Sequence, residues 1–446
     1  MKAILRRRYP PVNIISRAVG FLKDLVKPPS RPVCPQCAST IWKRHGFYSR
    51  GKRCLDELDP SVSIQRYQCK VCGKTWSDEP AWLAPRKWYG RDVIRLSLDL
   101  SIETTTSWRE LASLVHGIIT GMGRGSVWAP WRKPKEGARR VKLAHTTVWR
   151  WFQEAGQRAG EESSERERYQ GLFSGVLATD ESWGWTKGMV EGLGRKVGFG
   201  VQALVDGKTR LVLNLRRLAN ESEEALRAGV EQLVRRGIAL ESIRAWLSDG
   251  LPTYVAVLEM LDLGRVPRQR SIFHLWRNLA GGLKAYGQVE GKGAADRLRK
   301  MIRAVWDAPS ERAAVIALMA LVGEYGADAV AGKLVRLVES TFKEATFHLK
   351  GMVEGLGRTS GVVEWVWRRY KRRLRLLQCF MSDEGADNFF RLYELYVNFH
   401  RYQMRKERKR RYPYGGKCPL EIAGAEIEVG ADGWRVVASW MDALAI

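Results

Sequence analysis

Two short cysteine pairs place the tightest constraint on how this chain can fold. Both have the CxxC spacing, and their members are Cys34, Cys37, Cys69 and Cys72. Each short turn directs two thiolates at one point, so two turns complete the closed tetrahedral shell of a structural zinc ion. Residues 63–69 alternate like a strand that leads into the second pair, which predicts a zinc ribbon over residues 31–85. Unrelated redox or buried cysteines are the alternative, and the matched spacing argues against them.

The charge of the chain indicates the class of partner. Its 446 residues include 75 Lys+Arg against 48 Asp+Glu, a formal net charge of +27. Such an excess favours a polyanion, because lysines and arginines that meet phosphates release condensed counterions. Hydrophobic residues make up 45% of the chain and 18 residues are Trp, which indicates packed cores rather than a disordered basic tail.

Cysteine usage and hydropathy suggest a compartment. Seven cysteines, an odd number scattered over a long chain, are typical of a reducing environment. The basic segment 1–30 lacks the unbroken apolar run of a secretory signal. The longest apolar stretch, 313–323, is about half of the roughly 20 residues that a membrane span needs. We therefore expect a cytoplasmic, nucleoid-associated protein that does not use a membrane.

Residues 90–165 predict helices and a helix-turn-helix. One helix covers 107–115 behind a Thr/Ser cap, and a second begins at 145. In a recognition helix the DNA-facing residues would be Thr146, Thr147 and Arg150.

The spacing of these two helices leaves an alternative open. The usual turn has 3–4 residues, whereas residues 116–141 separate the two helices here. Ordinary core helices in which Trp149 and Trp151 pack would give the same pattern. The separating stretch is basic and could follow a phosphate backbone or merely be solvated, through Arg124, Arg132, Lys133, Lys135, Arg139, Arg140 and Lys142.

From about residue 171 the period changes from helix to strand. The predicted strands are 175–180, 197–205, 210–215, 243–250 and 268–273, with helices at 222–236 and 252–261. The order β-β-β-α-β-α-β predicts an α/β fold, a mixed sheet with helices on its faces.

Two of these strands end in a carboxylate, Asp180 and Asp249. Functional crevices of such sheets lie at strand ends, and two adjacent carboxylates raise each other's pKa unless a divalent cation such as Mg²⁺ or Mn²⁺ neutralises them. Ala178 and Asp180 share one strand face and Glu181 the other, which favours Asp180 over Glu181. Taken singly, each aspartate is more typical of a turn cap.

A third acid would allow two metal ions and in-line phosphoryl displacement. A helical stretch ends near residue 355, and a new helix from Ser360 would place Glu364, Arg368 and Lys371 on one face. The two cations could then hold phosphates beside the reacting one. A surface pair between Glu364 and Arg368, worth a few tenths of a kcal/mol, is the alternative.

Together these strings resemble the DDE transposases of prokaryotic insertion sequences, and the Mutator-like group best. The matching strings are Asp180-Glu181-Ser182, Ser248-Asp249-Gly250 with Tyr254, residues 268–278, Val363-Glu364, residues 379–382, Asn398-Phe399-His400-Arg401 and residues 416–421. The resemblance covers roughly residues 170–425.

The resemblance implies an RNase H-like catalytic domain over 171–425 with a helical insertion at about 280–355. It implies metal-dependent cleavage and transfer of double-stranded DNA, with element ends and target as partners, by a homodimer or higher oligomer. The triad would be Asp180, Asp249 and Glu364, holding two Mg²⁺ or Mn²⁺ ions, with His274 beside it. The zinc ribbon and helix-turn-helix would bind the element ends.

Departures from the family pattern leave alternatives. Ser271 stands three residues before His274, where related sequences often have Cys. Residues 359–361 lack an Asn often found before the third acid, which leaves Glu354 as a rival to Glu364.

Two further segments follow the predicted catalytic region. The cluster 405–411 is typical of a phosphate-binding arm, a nuclear address or a solvated basic run. The tail 426–446 ends in a short apolar helix without an assigned role. A non-catalytic DNA-binding regulator derived from a transposase, or a structure-specific nuclease, are the alternative functions.

Overall fold

A computed structural model describes most of the chain. The described residues are 32–51, 61–77, 87, 89–104, 106–122, 143–161, 166, 168–187, 196–218, 220, 222–377, 380–402 and 414–425. They form two compact units, the first from residues within 1–101 and 108–148 and the second from residues within 102–107 and 149–445. The predicted segments 1–30, 405–411 and 426–446 and the basic residues from 124 to 142 lie outside the described residues.

The first unit contains a three-stranded antiparallel sheet. Its strands, in the spatial order β1-β2-β3, are β1 (Trp42–Gly51), β2 (Ser61–Cys69) and β3 (Thr75–Ser77). Tyr67 of β2 lies between two tryptophans, with its ring centroid 4.7 Å from that of Trp42 and 5.7 Å from that of Trp76. Aromatic packing of this kind stabilises a small sheet whose aliphatic core is limited.

Three helices follow in the chain: α1 (Arg91–Glu103), α2 (Trp108–Met122) and α3 (His145–Ala159). Each has one apolar stripe, because their buried residues recur at three- and four-residue spacing. In α2 the stripe includes Leu111 and Val115, both fully buried, and in α3 it includes Val148, Trp151 and Phe152.

The second unit is built on a five-stranded mixed sheet, as predicted. Its strands are β4 (Val176–Lys187), β5 (Lys196–Asp206), β6 (Val212–Leu218), β7 (Ala245–Ser248) and β8 (Arg268–Arg270), and their spatial order is β6-β5-β4-β7-β8. β4-β5 and β5-β6 pair antiparallel, whereas β4-β7 and β7-β8 pair parallel. The apolar first half of β4 is buried because the strand lies between two others and between two layers of helices.

Helices cover both faces of this sheet. On one face, α4 (Glu223–Arg235) and α5 (Thr253–Met260) contribute Leu226, Val230 and Val257 to a core with the strands. On the opposite face lie α10 (Gly361–Leu377) and α11 (Asp383–Phe399), which bury a group of aromatic rings between helix and sheet. A short helix, α12 (Pro419–Ile422), adds Leu420 to the first core.

A helical insertion connects β8 to α10. It comprises α6 (Ile272–Val289), α7 (Lys292–Trp306), α8 (Glu311–Tyr325) and α9 (Ala331–Ala345) around a separate apolar core. The predicted strand 268–273 ending at His274 is wrong in its second half: β8 ends at Arg270 and His274 lies in the first turn of α6. The helix begins early because the Ser271 carbonyl accepts hydrogen bonds from the amides of His274 and Leu275. Within the described ranges, no helix combines the length and hydropathy needed to cross a membrane.

Candidate functional site

The four predicted cysteines come together in the first unit. All four sulfur atoms lie within 4.8 Å of one another. The Sγ atoms of Cys34 and Cys72 are 3.6 Å apart, as are those of Cys37 and Cys69. A tetrahedral site with metal–sulfur bonds of about 2.3 Å has sulfur–sulfur edges of about 3.8 Å, so the four thiols fit one metal ion.

The two cysteine turns have the same backbone geometry. In each, the first cysteine amide donates to the carbonyl five residues later, and its carbonyl accepts from the amide four residues later. The residue after each pair, Ala38 or Gly73, has positive φ, 56° and 72°. Amides of Cys72 and Val71 donate to the Cys69 sulfur and lower the pKa of that thiol to about 6 against the opposing effect of burial. Local backbone bonds thus favour the thiolate form of Cys69, which is the form that binds a cation.

The strand register brings the two predicted aspartates together. β4 and β7 run parallel, with Ala178 opposite Leu247. The predicted strand end at Asp180 is wrong, because β4 continues to Lys187, whereas Asp249 directly follows β7. Both aspartates come two residues after that pair, which places them side by side on the same face of the sheet. Asp249 itself caps the following turn, since its Oδ1 accepts from the Leu251 amide at 2.9 Å.

Asp180 is a buried acid among other acids. Its side chain receives hydrogen bonds from the Trp367 indole, at 3.0 Å, and from the Glu181 amide, also at 3.0 Å. Burial, the nearby charge of Asp249 and, more weakly, that of Glu364 raise the pKa of Asp180 to about 7. Such a carboxyl group is half-protonated near neutral pH unless a cation approaches it.

The other two predicted residues lie in the same region. Glu364 is half-buried in the first turn of α10, and its charge acts on both Asp180 and His274. The His274 Nε2 atom is 3.9 Å from Asp180 Oδ1. Burial, together with Arg277 and Lys371, lowers the pKa of His274 despite the opposing charges of Asp249 and Glu364. A neutral imidazole at pH 7 can accept a proton.

The carboxylates are more widely spread than the thiolates. Of the residues described, the cysteine cluster is the one group of three or more metal-ligand side chains whose ligand atoms all lie within 4.8 Å. Asp180, Asp249 and Glu364 therefore act on one another through their charges without forming a closed ligand shell.

Glu354 and Glu181, the alternatives to Glu364 and Asp180, do not belong to this group of carboxylates. The side chain of Glu354 is 81% exposed and pairs with Lys208 at 2.7 Å. Glu181 lies on the opposite strand face from Asp180, where it accepts a hydrogen bond from the buried Tyr254 hydroxyl. That hydroxyl also contacts Thr179 at 2.7 Å, so this acid helps to join β4 to α5.

Sequence reasoning missed Trp367. It lies three residues after Glu364 on the inner face of α10, and its side chain is fully buried against the sheet. The helical period alone marked it as a core residue, whereas its indole N–H is the side-chain donor that holds Asp180. The signal available in the sequence was that Trp367 stands one helical turn after the candidate acid Glu364.

The predicted DNA-facing residues of α3 differ in exposure. Thr146 and Arg150 are exposed, and Thr147 is half-buried in the first turn. Trp149 is 40% exposed whereas Trp151 is buried, so one of the two tryptophans packs in the core as the alternative expected. On α10, Arg368 and Lys371 are exposed one turn and two turns beyond Glu364.

The comparisons with known proteins address the first unit. Residues 34–112 match the family model of a domain of unknown function, DUF6431. The match begins at the first cysteine, includes the complete cysteine cluster and extends into α2. A search of curated proteins found no match.

Proposed function

We propose that this chain is a DDE transposase that cleaves and joins DNA at a metal-dependent carboxylate site in its second unit. The observation that carries the proposal is Asp180, a buried acid within β4 that has Asp249 and Glu364 near it and, among the described residues, no basic partner closer than His274. Perturbed carboxylates of this kind are typical of functional sites. The sheet, three antiparallel strands followed by two parallel ones, supports an RNase H-like fold.

The residues present suit hard divalent cations. Asp180, Asp249 and Glu364 would hold one or two Mg²⁺ or Mn²⁺ ions, which when bound activate an attacking oxygen and stabilise a leaving oxygen. Trp367 orients Asp180 through its indole N–H. His274, neutral at pH 7, is placed to accept a proton beside the carboxylates. Arg368 and Lys371 would hold the neighbouring phosphates of the DNA strand.

The cysteine cluster of the first unit would hold a structural zinc ion. Its sulfur spacing and backbone bonds fit a closed four-thiolate site, which stabilises a fold and leaves no open position for catalysis. With α3 presenting Thr146 and Arg150, this part of the chain would bind the ends of the element as double-stranded DNA.

Cleavage and strand transfer on labelled DNA test the proposal. Duplexes that tile the DNA on either side of the gene are incubated with Mg²⁺ or Mn²⁺ and with wild type, Asp180→Ala, Asp249→Ala or Glu364→Ala. We expect both products to disappear in all three variants while DNA binding persists. Glu354→Ala, which removes an exposed acid of the same type, is the matched control and should retain both products.

The same experiment evaluates a second candidate, a non-catalytic DNA-binding regulator derived from a transposase. This candidate is favoured by the spacing of the three carboxylates, whose ligand atoms are more widely spread than those of the four cysteines. Wild-type protein that binds the duplexes but cuts none of them with either metal would overturn the transposase proposal. In that case, loss of binding in Cys34→Ser but not in Cys54→Ser would support the regulator.

A further inference from the structure

A polar pocket lies at the outer edge of the second unit's sheet, and Asp180, Asp249 and Glu364 are not among its lining residues. Its volume is about 510 Å³, within the range of small-molecule sites. β6, α4 and α11 line it with Asn214, Leu215, Arg216, Arg217, Ala228, Glu231, Gln232, Arg235, Arg236, Asp387, Phe390 and Arg391. β6 is an edge strand, so the pocket opens where a further strand would otherwise pair.

The acidic groups of this pocket already have partners. Asp387 accepts from the Arg217 guanidinium at 3.1 Å, and Glu231 pairs with Arg227 at 3.4 Å. Arg236 is bound to Glu394 behind the pocket, at 2.8 Å. Each of these carboxylates is therefore already paired with an arginine.

Among the described residues, three arginines of the lining have no ion pair with a carboxylate. Within the described ranges no carboxylate oxygen lies within 4 Å of Arg216, Arg235 or Arg391, and Arg391 donates instead to the Asn388 side-chain carbonyl at 3.2 Å. The pocket thus carries an excess of positive charge.

Arg216 is the least favourably placed of the three. It is half-buried, and Gly229 of α4 lies against its aliphatic stem, since a Cβ there would meet the Arg216 Cδ atom at 3.2 Å. Burial lowers the pKa of Arg216, the charges of Arg236 and Arg217 lower it further, and Asp387 opposes the shift. A cation that is partly dehydrated and crowded by other cations gains when an anion binds.

We infer that this pocket binds a phosphate-bearing ligand through Arg216, Arg235 and Arg391. Guanidinium groups match phosphate oxygens with two parallel hydrogen bonds, and three of them around one concavity can neutralise a phosphate or a short run of phosphates. The phosphate can come from a nucleic-acid backbone or from a free nucleotide. The site shares no residue with the carboxylate site and does not depend on the proposed function.

Binding assays on the full chain test this inference with three probes: pyrophosphate, ATP and a labelled 20-base-pair DNA duplex. They compare wild type with Arg216→Gln and with the matched control Arg297→Gln, which removes the same charge from an exposed position of α7. We expect Arg216→Gln to weaken binding of at least one probe about tenfold or more. Arg297→Gln should change each affinity less than twofold.

The probes distinguish the two sources of phosphate. If the ligand is a nucleic-acid backbone, Arg216→Gln should weaken binding of the duplex. The slope of log K against log salt concentration should then fall in magnitude by about 0.9, the value for one phosphate contact. For a free nucleotide, ATP or pyrophosphate raises the melting temperature of wild type but not of Arg216→Gln, at matched ionic strength.

The inference is wrong if Arg216→Gln behaves like Arg297→Gln with all three probes. Should Arg216→Gln fail to fold, as judged by its thermal unfolding, Arg235→Gln provides the same comparison. Arg235 is exposed in the last turn of α4, where the substitution leaves the core intact.

Discussion

Two buried carboxylates of the second unit have opposite surroundings. Glu394 of α11 is fully buried, and four groups donate hydrogen bonds to its oxygens. Its partners are the Arg236 guanidinium at 2.8 Å, the Tyr169 hydroxyl at 2.7 Å, the Leu215 amide at 3.0 Å and the Arg168 guanidinium at 3.2 Å. The charge is compensated by the protein itself, and the network joins α11, α4 and the edge strand β6.

Asp180 is 8% exposed and has two such donors, an indole and an amide. The next ionisable side chain, His274, is held neutral, while Asp249 and Glu364 add negative charge. The protein supplies the counter-charge of Glu394 internally, whereas the described residues supply none for Asp180. Under the proposed function, a divalent cation would neutralise Asp180.

The largest expected effect comes from breaking the compensated acid. Glu394→Gln removes the carboxylate charge that faces the buried Arg236 guanidinium, so we expect a loss of about 3–5 kcal/mol in the free energy of unfolding. Urea unfolding measures it, with the exposed Glu339→Gln as the control. A loss below about 1 kcal/mol would contradict the structural role of Glu394.

For Asp180, in contrast to Glu394, we expect the charged form to destabilise the folded protein. Because the folded-state pKa of Asp180 is raised to about 7, the folded protein binds this proton more tightly than the unfolded chain does, and metal-free stability should fall as pH rises from about 4 to 7. The slope is at most about 1.4 kcal/mol per pH unit. Asp180→Asn should flatten it.

Thermal unfolding in EDTA at pH 5 and pH 7.5 measures this difference between wild type and Asp180→Asn. Adding Mg²⁺ at pH 7.5 should raise the melting temperature of wild type and leave that of the variant unchanged. Equal pH slopes for the two proteins would show that Asp180 is compensated after all.

A smaller effect is expected from the donor that holds Asp180. Trp367→Phe removes one hydrogen bond to a carboxylate, so we expect a loss of about 1–2 kcal/mol at pH 8 and less at pH 5, where Asp180 is protonated. Trp306→Phe is the matched control, since none of the described residues accepts a hydrogen bond from its buried indole N–H. Its stability loss should be the same at both pH values. A pH-independent loss in Trp367→Phe would mean that packing alone matters there.

The smallest effect is expected at the rival third acid. Glu354 is solvated and pairs only with an exposed lysine, so Glu354→Gln should leave the melting temperature and Mg²⁺ binding unchanged. Calorimetric Mg²⁺ titration of Glu354→Gln and Glu364→Gln makes the comparison. Weaker Mg²⁺ binding in Glu354→Gln than in Glu364→Gln would identify Glu354, and not Glu364, as the third acid.

The parts of the structure that were predictable depend on short-range rules. The CxxC turns close through backbone bonds within five residues, so their spacing alone indicated four converging thiols. The alternation of β4 distinguished Asp180 from Glu181, because side chains of successive strand residues point to opposite faces. The early end of β8 was missed, since a helix start at Ser271 competes with strand propensity in residues 271–273.

The sequence by itself determined the cysteine turns, the mixed sheet and Asp249 at the end of its strand, because each follows from hydrogen bonds or periodicity within one segment. Tertiary structure alone decided which acids are compensated. Glu394 meets Arg236 across 158 residues and Trp367 meets Asp180 across 187. Contacts at such separations depend on how helices pack on the sheet, and no local pattern records which donor will face which carboxylate.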